Sequence, residues 1–226
     1  MNNVEYEVKY NEYKRAFNEY AEHVFSEIKT PNNLADSMKY SLFVGGKRIR
    51  PVLLISSCEN KGISSEKYLP YALAIECIHT YSLIHDDLPA LDNDVLRRGN
   101  PTNHVKFDEA TAILAGDALL NFAYEFLISN CQDENDVKAI KYVAESGGYR
   151  GMLSGQKSDK EKENAAIYTE NDLSEIYRLK TGRLIACPLV VAELLSGNEN
   201  IGETENFGFD LGRLFQFADD YKDVFS

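Results

Sequence analysis

Cysteine is scarce. The four that occur, Cys58, Cys77, Cys131 and Cys187, stand far apart in apolar helical patterns. With no C-x-x-C pair and no metal-ligand spacing, they exclude a disulfide framework and a thiolate metal site. They read as buried, reduced thiols of a cytoplasmic protein. Positive charge is also in short supply: 24 Lys and Arg face 36 Asp and Glu, for a formal net charge of −12 and a pI near 4.8. A general affinity for nucleic acid or anionic lipid is therefore disfavoured, and no nucleic-acid partner is expected. Long hydrophobic runs are missing as well. Residues 184–195 form the longest candidate span, about half of what a membrane helix needs, and it contains Pro188 and Glu193. The opening MNNVEYEVKYNEYKRAF mixes charge with aromatics and lacks the apolar centre of a signal peptide, so neither export nor stable membrane insertion is expected. Internal repeats and long low-complexity tracts do not occur.

What remains is helical. Apolar residues recur at three and four rather than at two, and no convincing alternating strand is found. The periodicity predicts helices over 4–29, 33–44, 51–58, 65–87, 105–130, 135–153, 171–181, 183–196 and 204–225, in one all-α domain spanning residues 1–226. Turn signals at Gly45-Gly46, Gly99-Asn100-Pro101 and Gly197-Asn198 separate them, and KSDKEKEN at 157–164 reads as an exposed mobile loop.

The predicted helix from Tyr71, YALAIECIHTYSLIHDD, is apolar on nearly every side, as a central helix of a bundle is. Along it His79, Ser82 and Asp86 share one face. It ends in the acidic run DDLPALDND, with Asp86, Asp87 and Asp92. Carboxylates packed this closely raise one another's pKa unless they lie in water or hold cations. A second acidic cluster closes the chain. In FQFADDYKDVFS, Gln216, Asp219, Asp220 and Asp223 fall on one helical face, with Leu211, Leu214, Ala218, Tyr221 and Phe225 opposite. Alone, that is what the wet side of an amphipathic helix looks like. Paired with the first cluster, it offers a second set of hard oxygen ligands without the Cys and His that softer metals favour, which points to Mg²⁺ shared with substrate phosphates.

The few cations gather where an anion would use them. In VGGKRIRP, Lys47, Arg48 and Arg50 follow a Gly-Gly turn and precede Pro51, a plausible first helical residue. Cations are unfavourable with the dipole at a helix start, so a bound anion explains them better than helix stability does. Arg97 and Arg98 follow the first acidic run in a Gly-Pro turn, and Lys180-Thr181 sits near Gly182. Two anionic heads beside an apolar interior suit a substrate with a diphosphate and a hydrocarbon tail.

Read together, GGKRIRP, ECIHTYSLIHDDLPALDNDVLRRG, ILAGDALL, LKTG and FQFADDYKD resemble, in order, the motifs of the trans-polyprenyl diphosphate synthases, with the bacterial farnesyl diphosphate synthase type the nearest in pattern. The resemblance implies an isoprenoid synthase-type helical bundle around a central apolar cavity. It implies that Asp86, Asp87 and Asp92, with Asp219, Asp220 and Asp223, bind Mg²⁺ ions that grip an allylic diphosphate, dimethylallyl or geranyl. Arg97, Lys180, Thr181 and Gln216 would contact that head group, while Lys47, Arg50, His79 and Arg98 would hold isopentenyl diphosphate. Asp86, Asp87, Asp92, Lys180 and Asp219 would be the catalytic set. His79 can also be read as a core histidine bonded to Glu76. Tyr81, five residues before Asp86 and about 7.5 Å along the helix axis, with Ser82 beside it, would set the floor of the tail pocket and favour a farnesyl product. A homodimer is implied. The family pattern continues past the second motif, so the chain ending at Ser226 is expected to be a C-terminally truncated synthase domain. Asn93 departs from relatives that carry another acid there. Alternative readings are a geranylgeranyl diphosphate synthase and a catalytically weak synthase-like regulatory subunit. A class I terpene cyclase would have no need of Lys47, Arg50 and His79.

Overall fold

The structure is a computed structural model that describes residues 3–162 and 169–225; for Asn3, Asp219, Asp220 and residues 222–225 it describes the backbone alone. Among the described residues the regular structure is helical apart from one two-residue ladder, Leu96–Arg97 paired antiparallel with Asn100–Pro101. It divides into two compact units, residues 1–56 with 64–130 and residues 57–63 with 131–226.

The first unit is built on α1 (Asn3–Ser26), α2 (Leu34–Phe43), the start of α3 (Ile49–Asn60), α4 (Ser65–Asp86), α5 (Asn103–Lys106) and α6 (Glu109–Ser129). α4 is its axis and packs most extensively against α6. Ala72, Leu73, Ala74, Ile75, Cys77 and Ile78 are fully buried, which is what an all-round apolar helix requires. Phe25 seals the layer below, edge-on to both Phe43 and Phe122. The one long helix expected over 105–130 is broken: Phe107 leaves helical geometry, and Asp108 restarts the chain by accepting a hydrogen bond from the Thr111 N–H at 2.7 Å. α6 is 21 residues long and, by length and composition, apolar enough to span a membrane, although the longest apolar span was expected at 184–195. It carries Asp117 and Glu125, and it packs on α4, α2 and α5.

The turn before α3 is conformationally demanding. Gly45 and Gly46 have φ of 110° and 143°, and Arg48, a residue with a Cβ, sits at 58°. What holds Arg48 there is burial with partners: Nη1 lies 2.9 Å from Glu76 Oε1, Nη2 donates to the Leu42 carbonyl at 2.6 Å, and Nε donates to Asn18. α3 starts at Ile49, two residues ahead of the expected Pro51. Pro51 still falls among the first four residues, whose N–H groups have no helical acceptor, so its missing N–H costs nothing there.

The second unit comprises α7 (Glu134–Gly147), α8 (Met152–Lys162), α9 (Glu170–Tyr177), a π-turn (Arg178–Gly182), α10 (Arg183–Leu195) and α11 (Gly202–Phe225). Capping boxes open two of these helices, Asp133 with Asp136 and Thr169 with Asp172. The helix expected over 135–153 stops at Gly147, and the chain turns through residues 148–151 before α8 begins. α8 also corrects the loop expected at 157–164: residues up to Lys162 are helical, and Glu163 and Asn164 lie outside the described residues. α10 is the buried axis and packs on α7 and α11. Arg183 at its start sits between the Tyr142 and Phe209 rings, with Nη1 2.5 Å from Glu205 Oε1, which also accepts from the Tyr142 hydroxyl at 2.6 Å. The apolar side expected to be buried on α11 is in part solvent-facing, with Leu214 and Tyr221 both exposed.

Three cysteines, Cys58, Cys77 and Cys187, are buried thiols, and Cys131 is half-buried. Burial pushes the Cys58 thiol up to about 12, which removes it as a nucleophile at neutral pH.

Candidate active site

In the first unit the acidic run and the cations meet at the end of α4. Asp86 is the last residue of that helix and Asp87 caps it. The chain then folds back: the N–H of Asp92 donates to the Asp86 carbonyl at 2.9 Å, and those of Leu91 and Asn93 both reach the Leu88 carbonyl. Two of the expected acids are thereby joined through backbone. The reversal needs a left-handed residue, and Asn93, with φ of 55°, supplies it. Asparagine, like aspartate, is among the side chains that tolerate that region.

Asp87 is buried and bonded to Arg97, whose Nε lies 2.7 Å and Nη2 2.5 Å from Oδ1. Nη2 also lies 3.4 Å from Asp94. Burial raises the Asp87 pKa, and the Arg97 bond opposes the rise. Arg98, in left-handed geometry, turns back onto the Gly-Gly turn and donates to the Gly45 carbonyl. A Cβ on Gly46 would lie 2.5 Å from its Nη1, so a side chain there is excluded while Arg98 is docked. Arg97, Arg98, Asp87 and Thr80 line one small cavity beside α4.

His79 sits in the field of these cations. Burial first, then Arg50, Arg98, Arg97 and Arg48, pushes its pKa well below the ordinary histidine value, so it is neutral at pH 7. Glu76, offered above as its core partner, pairs with Arg48 instead. Lys47 is exposed, and its carbonyl accepts from the Tyr10 hydroxyl. Ser82 spends its hydroxyl on the His79 carbonyl at 2.8 Å. Tyr81 is buried, with its ring edge-on to His85 at 5.8 Å.

Residues matching the polyprenyl synthetase family run from 31 to 226. The chain belongs to this family. Among its relatives, farnesyl diphosphate synthase of Geobacillus stearothermophilus is 42% identical over 95% of this chain and 74% of its own length. A geranylgeranyl diphosphate synthase of Cyanophora paradoxa is 44% identical over 87% of this chain and 67% of its own. Of solved structures, a geranyltransferase from Legionella pneumophila superposes with a TM-score of 0.90 at 35% identity, covering 98% of this chain and 80% of that one. Geranyltranstransferase from Thermotoga maritima superposes at 0.88 and 33% identity, covering 96% and 79%. The all-α, isoprenoid synthase-type fold is thereby shown.

In the second unit of this polyprenyl synthetase, the π-turn carries Lys180 and Thr181. A π-turn adds a residue to a helical turn and so re-aims its side chains, and such turns concentrate at functional sites. Thr181 Oγ1 donates to Gln216 Oε1 on α11 at 2.9 Å, so two of the expected head-group contacts are joined. Lys180 Nζ lies 2.5 Å from Asp159 on α8. The backbone of α11 is helical through the second acidic motif; the side chains of Asp219, Asp220 and Asp223 lie outside the described residues.

The motif at the end of α4 fits Mg²⁺ in donor chemistry, because it offers only hard carboxylate and carbonyl oxygens. Among the described residues no three metal-ligating side chains converge into a ready cage. Arg48, grouped in the sequence with Lys47 and Arg50 as a cation for a bound anion, belongs instead to the core, where it pairs with Glu76; the lone Glu76 inside an apolar helix is the signal, since a buried carboxylate demands a cation. One residue of the site has no counterpart in the sequence reading. Asp159 was hidden in the stretch read as a loop.

Proposed function

We propose that this protein condenses isopentenyl diphosphate head-to-tail with dimethylallyl or geranyl diphosphate to give farnesyl diphosphate. The observation that carries the reading is the cluster at the end of α4. There Arg97 is bonded to Asp87 of the first acidic motif and Arg98 to the adjoining Gly-Gly turn, at the polar tip of a largely apolar buried helix, within a chain that belongs to the polyprenyl synthetases.

Asp86, Asp87 and Asp92, with Asp219, Asp220 and Asp223 of the second motif, would hold Mg²⁺. When bound, the metal neutralises the charge that develops on a departing diphosphate. Arg97, Lys180, Thr181 and Gln216 bind and orient the allylic head group. Lys47, Arg50 and Arg98 hold the head of isopentenyl diphosphate, and neutral His79 donates or accepts a hydrogen bond there without adding charge. Ionisation of the allylic C–O bond leaves a cation whose C1 is attacked by the isopentenyl double bond, and a proton is then lost, for which the released diphosphate is the nearest base. Tyr81 sets the length of the tail, and its size favours farnesyl over geranylgeranyl diphosphate.

The enzyme works in the cytoplasm as a homodimer in this reading. Ile113, Leu114 and Ile128, exposed along α6, supply an apolar surface for a second copy. Incubating the chain with isopentenyl diphosphate and either allylic substrate, with Mg²⁺ or with EDTA, tests the function. Mg²⁺-dependent farnesyl diphosphate by mass is expected. Absence of any prenyl product while both diphosphates still bind would move the chain to the regulatory-subunit reading.

A further inference from the structure

Lys180 is held from one side by α8, in two places one helical turn apart. At Gly155 the helices meet backbone to backbone, for a Cβ there would collide with the Lys180 nitrogen and lie 2.6 Å from its Cα. Four residues on, and so on the same face of α8, Asp159 Oδ2 lies 2.5 Å from Lys180 Nζ. The glycine sets how near the backbone of the π-turn comes, and the carboxylate fixes where the side chain ends. Both side chains of the pair are 29% exposed. An ion pair so open to solvent contributes little to folding stability, so stability alone does not account for a lysine pinned at both ends.

We propose that Asp159 is a positioning residue for Lys180, holding its ammonium in place before an allylic diphosphate arrives. The inference rests on the reading of Lys180 as a head-group contact. A free lysine has four rotatable bonds to order when it meets an anion, and the loss weakens binding. With Nζ already docked on Asp159, that ordering is complete when the protein has folded. The π-turn suits the arrangement, because its extra residue turns Lys180 toward α8 while Thr181 remains bonded to Gln216.

Three measurements on the full chain test the idea. Reductive methylation read by mass spectrometry reports on the docked amine: Lys180 should react slowly in the unsubstituted protein and faster in Asp159→Ala, with exposed Lys157 as the internal standard. Calorimetry with inorganic pyrophosphate and Mg²⁺ should show affinity falling roughly tenfold in Asp159→Ala, with partial recovery in Asp159→Asn, which keeps one acceptor oxygen. In a Lys180→Ala background the Asp159→Ala change should have no further effect, and the KM for isopentenyl diphosphate should be unmoved throughout. A purely structural Asp159 would give additive losses and disturb both substrates. Unchanged pyrophosphate affinity in both Asp159 variants, or additivity with Lys180→Ala, overturns the proposal alone. If the unsubstituted chain binds no pyrophosphate, the site reading falls and the proposal falls with it.

Discussion

His79 illustrates how one residue takes its character from its neighbours. Burial and four arginines disfavour the imidazolium, so the folded-state pKa lies below the unfolded value of about 6.5. A depressed histidine contributes stability that is complete above the unfolded pKa and is lost as pH falls from there through the folded pKa. The His79 ring proton resonance should therefore stay at its neutral position as pH is lowered through 6.5, and thermal stability should begin to fall in the same window. Isopentenyl diphosphate brings negative charge to those arginines and should move the His79 titration upward. A ring that titrates at the ordinary value, with or without ligand, would remove it from the cationic cluster. Tyr81 carries a second prediction at this scale. Tyr81→Ala should lengthen the product while costing stability, about 3–5 kcal/mol for deleting a large buried aromatic, and Tyr81→Phe should keep the farnesyl product. An unchanged product profile in active Tyr81→Ala would mean that another wall stops the tail.

At the level of elements, periodicity read the core helices well and their interruptions badly. α4 and α10 were legible because burial on all sides leaves an unbroken apolar run, and α6 because its small and apolar residues repeat at helical spacing. The break at Phe107 left no comparable mark, whereas the one at residues 148–151 carries Gly147-Gly148 and Gly151, the kind of turn signal read at Gly45-Gly46. A single Asp that caps a new helix looks the same in sequence as any exposed Asp. Residues 157–162 of KSDKEKEN depart from the loop reading for the opposite reason: their composition is that of a solvated loop, but Gly155 lets α8 lie against the π-turn, and that contact sustains a helix that is polar on most of its surface. The π-turn itself is invisible to a 3.6-residue pattern. Its packing nevertheless makes a prediction. A Cβ on Gly212 of α11 would lie 2.5 Å from the Gly182 Cα, with backbone on both sides and no flexible side chain to yield. Gly212→Ala should therefore destabilise the protein by about 1–3 kcal/mol and weaken pyrophosphate binding by prising Gln216 from Thr181, as seen in thermal melts and calorimetry. Wild-type values for both would show that α11 can shift without loss.

For the molecule as a whole, the acidic excess decides how metal and substrate depend on each other. A chain of net charge −12 attracts divalent cations weakly everywhere, but Mg²⁺ gives up its water reluctantly and is usually held by one or two carboxylates together with substrate phosphates. Asp87 meanwhile is engaged by Arg97. Mg²⁺ alone should then bind loosely, and pyrophosphate alone would meet the aspartates' repulsion. Together each supplies what the other lacks, the phosphate oxygens completing the coordination that the carboxylates begin. Ligand that binds only the folded state stabilises it by about 2.7 kcal/mol at a hundredfold excess over Kd, which for a chain of this length is roughly 5–10 °C in Tm. EDTA or Mg²⁺ added singly should leave Tm nearly unchanged, pyrophosphate singly should do the same, and the pair should raise it by that amount. An equal rise from Mg²⁺ alone would mean that the protein holds the metal by itself, without the substrate's diphosphate.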